Sequence, residues 1–152
     1  NKAKFKSKDK LFFVDKYYKP ELPLKLTKYL LKFANSSIDV SDGLIDDLAK
    51  MINRQSLSFH LFENKIPVSN KLSNFIKKQR LNKINLTSNG DDYQVLFTAG
   101  IKKARIIQNA SKTTGIKITK IGKIVSGKDR SLIFDEKGKQ IRAKSKGYIH
   151  RF

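Results

Sequence analysis

Between Ser36 and Ile52 the chain changes its periodicity, and that change limits what it can fold into. "SSIDV" is a short β-prone run. Directly after it, Leu44, Ile45, Leu48, Met51 and Ile52 recur at helical spacing and make one apolar face. A strand must therefore feed directly into a helix, with Ser41 or Asp42 as N-cap candidate and the helix running to about Gln55. This junction also gathers carboxylates: Asp39, Asp42, Asp46 and Asp47 fall close together. Elsewhere acid is scarce, because 33 Lys and Arg face 13 Asp and Glu and the formal net charge is +20.

The remaining segments follow the same reading. Residues 1–23 are a lysine-rich lead-in broken by Pro20 and Pro23, and a domain occupies 24–152. "LKLTKYLLKFA" predicts a helix over about 24–34, with Leu24, Leu30, Leu31 and Ala34 toward a core. "LSFHLFE" alternates like a half-buried strand, with His60 on its polar side at a surface or edge. "SNKLSNFIKKQR" predicts a helix starting at Ser69 or Asn70, and "IKKARIIQNASKTTG" one closed by Gly115. Strands are expected at Tyr93–Thr98, in "IKITKIGKIVSG" and in "RSLIFDEKGKQIRA", the last with a hairpin turn at "EKGK". Helices and strands alternate without βαβ regularity, which predicts an α+β domain with helices packed on a mixed β-sheet.

Composition narrows the function. No apolar run approaches the roughly 18 residues that span a bilayer. With no cysteine there is no disulfide framework, thiolate metal site or cysteine nucleophile. His60 and His150 are too few and too far apart for zinc. The basic charge admits a nucleic-acid-binding module, but the lysines are scattered and no recognisable module accompanies them.

Two acidic places remain. At the junction, a carboxylate at a strand end (Asp39) and one at a helix start (Asp42) can converge on a hard divalent cation such as Mg²⁺, and the helix N-terminus offers N–H donors for a phosphate. Equally, Asp42 can simply cap the helix, with Asp46 and Asp47 favouring its positive end. The second place is Asp91–Asp92 in "NGDDYQVLFT", either an ordinary turn or part of a shared polar site.

"SIDVSDGLIDDL", then "NGDDYQVLFT", "ITKIGKIVSG" and a terminal "GYIHRF" resemble, in order, the C-terminal half of the thiamine-monophosphate kinases. The resemblance runs over about residues 15–152 and includes the lead-in "KYYKPELPLKL". It implies a PurM-like C-terminal domain and ATP- and Mg²⁺-dependent phosphorylation of thiamine monophosphate to thiamine diphosphate in the cytoplasm. Carried over by position, Asp39 and Asp42 would bind Mg²⁺, Ser41 would contact ATP, and Asp91 and Tyr148 would contact thiamine monophosphate. The family's Gly-Gly-Glu-Asp-Tyr-Glu-Leu stands here with Asn89, Asp91 and Gln94 at its first, third and sixth positions. The chain opens on Asn1, which reads as a fragment or processed product. By the resemblance, an N-terminal half carrying further metal aspartates, much of the nucleotide site and the homodimer interface is missing, so this piece alone is expected to be inactive. A PurM-like assembly domain without catalysis is the other reading of the same fold.

Overall fold

A computed structural model describes residues 7–143 apart from 54 and 88, and leaves aside the side chains of residues 7 and 8. The terminal "GYIHRF", with Tyr148 and His150, lies outside the described residues. Helix α1 (Ser7–Tyr18) begins the fold. It was not expected, because its apolar residues form no consistent stripe; Leu11, Val14, Tyr17 and Tyr18 stay exposed. A 3₁₀ turn at Leu24–Leu26 leads into α2 (Thr27–Phe33) and straight on into β1 (Ala34–Asp39). The predicted core side of this helix holds for Leu30 and Ala34, which pack on the smaller core, but not for Leu24 and Leu31. Leu31 is 94% exposed and Leu24 66%, whereas Leu26 and Phe33 are buried. The 3₁₀ start breaks the continuous α spacing, so Leu26 rather than Leu24 turns inward.

After the junction comes α3 (Leu44–Met51), which ends about a turn short of Gln55. Next follow β2 (Leu57–Phe62), α4 (Asn70–Gln79) and the one-turn α5 (Lys83–Leu86). Then come β3 (Val95–Ala99), α6 (Ala104–Thr114), β4 (Gly122–Ser126), β5 (Leu132–Phe134) and β6 (Gln140–Ile141). Several local signals act as read. The Ser69 hydroxyl accepts the Leu72 N–H at the start of α4, Gly115 takes the left-handed C-cap of α6, and Gly138 turns the β5–β6 hairpin with positive φ. By contrast, residues 116–120 form no strand.

The α+β class and a mixed sheet both hold, but that sheet does not take in every strand. Among the described residues the strands form an antiparallel pair β1–β3 and a separate four-stranded sheet in the order β4-β2-β5-β6. Strand β2 runs antiparallel to β4 and parallel to β5. His60 therefore sits on a central strand, half-buried and edge-on to the Phe134 ring, rather than at a surface edge. The main core joins the two sheets through α3. Leu44, Ile45, Leu48 and Ile52 pack with Phe59, Leu61, Ile133, Ile84 and Leu96, the face the spacing predicted. A smaller core of Leu26, Phe33 and Ala110 packs α2 and α6 beside β1 and β3.

Candidate functional site

Strand β1 stops pairing regularly at Asp39, opposite Val95, yet the two segments stay joined beyond it. The Val40 N–H donates to the Gln94 carbonyl at 2.8 Å, the Tyr93 N–H to the Val40 carbonyl at 2.9 Å, and the Asp91 N–H to the Ser41 carbonyl at 2.9 Å. The two acidic segments, about fifty residues apart in sequence, are thus held side by side by their own backbones. This close approach needs Gly90. A Cβ there would collide with the Ser41 carbonyl oxygen, and its φ of +78° is one that side chains rarely adopt.

Keeping that pairing forces Asp91 (φ 59°) and Tyr93 (φ 49°) into the left-handed region. Strain of this kind costs about 1–3 kcal/mol per residue and collects where geometry matters. Aspartate enters this region more readily than longer side chains, because its short carboxylate bonds locally. The Tyr93 hydroxyl donates to Asp91 Oδ1 at 3.3 Å. The Asp91 charge, with smaller contributions from Tyr17 and Asp39, holds the Tyr93 phenol above its ordinary pKa. Asp39 and Asp91 therefore act on one hydroxyl. The crowded loop around Asp92, with the Asp91 charge beside it, raises that carboxyl even though its surface is open to solvent. From the lead-in, the Glu21 carbonyl accepts the Gln94 amide at 3.2 Å, and Lys16 pairs with Glu21.

The turn into α3 is built differently from the expectation. Gly43, not Ser41 or Asp42, is the N-cap, and no side chain caps there. Instead Asp47 reaches back from inside the helix. Its Oδ2 accepts the N–H groups of Ser41 (3.0 Å), Asp42 (3.0 Å) and Gly43 (3.1 Å). Asp47 is only 1% exposed, so it is a buried anion tying the loop and not an ordinary first-turn residue. The Leu44 N–H is taken by the Thr87 carbonyl at 3.1 Å. All four of these amides are engaged within the protein, which removes them as the phosphate donors expected at this helix start.

The second unforeseen residue is Lys50. Its ammonium bonds Asp42 and lies 2.6 Å from Asp46 and 3.4 Å from Asp47. Those bonds, Asp42 first, raise its pKa well above the ordinary lysine value. Oxygens of Asp42, Asp46 and Asp47 all lie within 4.8 Å of one another around it. Spacings of three and four residues from Asp47 and Asp46 were visible in the sequence and could have flagged the lysine. Asp39 is exposed at the end of β1, and Ser41 and Asp42 are half-buried in the turn. The backbone pairing sets Asp91 beside Ser41 and Asp39 acts on Tyr93, but among the described residues the carboxylates within reach of one ion are Asp42, Asp46 and Asp47, not Asp39; Tyr148 lies outside the described residues. Carboxylates at this turn offer the hard oxygen donors that Mg²⁺ prefers, so the donor set fits such an ion.

No protein-family model matches the chain. Curated relatives do. The thiamine-monophosphate kinase of Buchnera aphidicola subsp. Acyrthosiphon pisum is 32% identical over 140 residues, 91% of this chain and 42% of that protein. The enzyme of the same name from Aquifex aeolicus is 33% identical over 89 residues, 58% of this chain and 29% of that protein. Among solved structures, AaThiL complexed with AMPPCP and TMP superposes with a TM-score of 0.68 at 25% identity, covering 97% of this chain and 44% of that one. The chain spans less than half the length of the curated relatives it matches, in their C-terminal part.

Proposed function

We propose that this chain, a relative of the thiamine-monophosphate kinases matched over most of its length, is the PurM-like C-terminal part of such a kinase and forms one wall of its site. The reaction is transfer of the ATP γ-phosphoryl group to thiamine monophosphate, giving thiamine diphosphate and ADP. The observation that carries this reading is the backbone pairing of Val40 and Ser41 with Asp91, Tyr93 and Gln94, which sets the two family motifs against each other.

In the transfer, an oxygen of the acceptor phosphate bonds to the γ-phosphorus as the bond to the β-phosphate oxygen breaks. That acceptor is largely dianionic near neutral pH, so no side chain need remove a proton. The difficulty is bringing two polyanions together. Asp39 and Asp42 would hold Mg²⁺, whose charge neutralises the phosphates and aligns them. Ser41, in the turn between these aspartates, would contact ATP. Asp91, with its carboxylate fixed by the Tyr93 hydroxyl, would orient thiamine monophosphate together with Tyr148. The other wall, further metal ligands and the homodimer contact belong to an N-terminal half, so this piece alone is expected not to turn over. Among the described residues no helix is long and apolar enough to cross a membrane.

The test is an assay of the complete protein with thiamine monophosphate, ATP and Mg²⁺. Thiamine diphosphate should form, and Asp42→Asn should abolish it. No product, or undiminished turnover in Asp42→Asn, refutes the proposal.

A further inference from the structure

Lys50 lies one helical turn beyond Asp46 and Asp47, so its side chain runs back along α3 to both, and from there crosses to Asp42 in the turn before the helix. An ammonium and a divalent cation ask the same of Asp42, namely its carboxylate lone pairs. A small ion such as Mg²⁺ needs them at about 2.0–2.1 Å in near-octahedral geometry. Two cations crowded onto one carboxylate also repel each other, by more at a half-buried turn than in bulk water. The lysine has somewhere else to stay. Asp46 holds it at 2.6 Å, and Asp47 Oδ1 faces it while Oδ2 is committed to the three backbone amides. Lys50 is also nearly half exposed, so its swing away from Asp42 is unobstructed by core packing.

Resting on the metal reading above, we infer that Lys50 is a resident counter-ion of Asp42 that yields this carboxylate when a divalent cation binds. The lysine opposes occupancy of the metal site and keeps the acidic turn neutralised when no ion is there. It is a positioning residue, since it acts on the metal through Asp42.

The experiment uses the complete protein, labelled with ¹⁵N, and Mg²⁺ as the probe. An ammonium held among carboxylates exchanges slowly and gives a resolvable lysine Nζ resonance. On saturation with Mg²⁺ the Lys50 resonance should move or vanish through loss of its Asp42 partner. By calorimetry, Lys50→Met should bind Mg²⁺ about two- to fivefold more tightly, the scale of a partly exposed ion pair, while Lys50→Arg stays near the wild type. A Lys50 resonance that is unmoved while Mg²⁺ binds, or a Lys50→Met affinity equal to wild type, overturns the inference and leaves the metal reading standing. If no form of the complete protein binds Mg²⁺, the metal reading falls and the inference with it. Should Lys50→Met not fold, the wild-type resonance decides alone.

Discussion

Replacing Asp47 tests whether a buried anion holds the turn into α3. Its Oδ2 takes three N–H groups at 3.0, 3.0 and 3.1 Å, and the residue is shielded from water. A hydrogen bond to a charged partner contributes about 1.5–3 kcal/mol net. Three bonds sharing one oxygen do not add fully, so Asp47→Ala should cost roughly 3–5 kcal/mol, the range for breaking a buried charged contact. The Lys50 contact at 3.4 Å adds little, because that ammonium sits closer to Asp42 and Asp46. For a chain of this size each kcal/mol lowers Tm by about 2–4 °C, which predicts a fall of roughly 6–20 °C. Asp47→Asn keeps one acceptor oxygen without the charge and should lose about half as much. Urea unfolding is the assay: the midpoint should drop with the slope unchanged. Asp46→Ala is the control, an exposed ion pair four residues from Lys50 worth about 0.3–0.5 kcal/mol. If Asp47→Ala costs under about 1 kcal/mol, or no more than Asp46→Ala, the carboxylate is not what holds the turn.

Gly90→Ala should destabilise the protein by about 1–3 kcal/mol, since the new Cβ meets the Ser41 carbonyl and the left-handed φ disfavours it. Hydrogen exchange should quicken at the Asp91 and Tyr93 amides, and unchanged protection there would contradict the close-approach argument. Asp91→Asn should lower the Tyr93 pKa toward that of a free phenol. The neighbouring anion penalises the phenolate, so removing it lets the ring ionise at lower pH; NMR of the ring resonance follows this, and a rise or no change would refute it.

How far these features could be read in advance depends on whether their cause is local. The α3 face, the Ser69 cap and the Gly115 stop follow from side chains within a turn or two, and the structure has them where the spacing put them. Helix α1 lacks an apolar stripe and is fixed by contacts that no short window contains, such as Lys71 lying over the Phe12 ring. The division into two sheets is a matter of which strand finds which, and β1 pairs with a strand some sixty residues away. Asp39, Ser41, Asp42 and Asp91 stand out by type and neighbourhood, but the pairing that sets Asp91 beside Ser41 is long-range and lies in no short window. Asp47 did not stand out, because an aspartate in a first helical turn is commonplace. Only its burial, and the three amides aimed at it, separate it from Asp46.

That buried carboxylate has a consequence for ligand binding. Loops that wrap phosphate with their amides are often ordered by the phosphate itself and lose conformational entropy as it arrives. Here the carboxylate is tethered to α3, so the amides of Ser41, Asp42 and Gly43 are already satisfied before any ligand arrives. Little of the affinity for a substrate then needs to go into ordering this turn. Any rearrangement on binding is left to side chains at its rim, while the peptide backbone beneath them stays as it was.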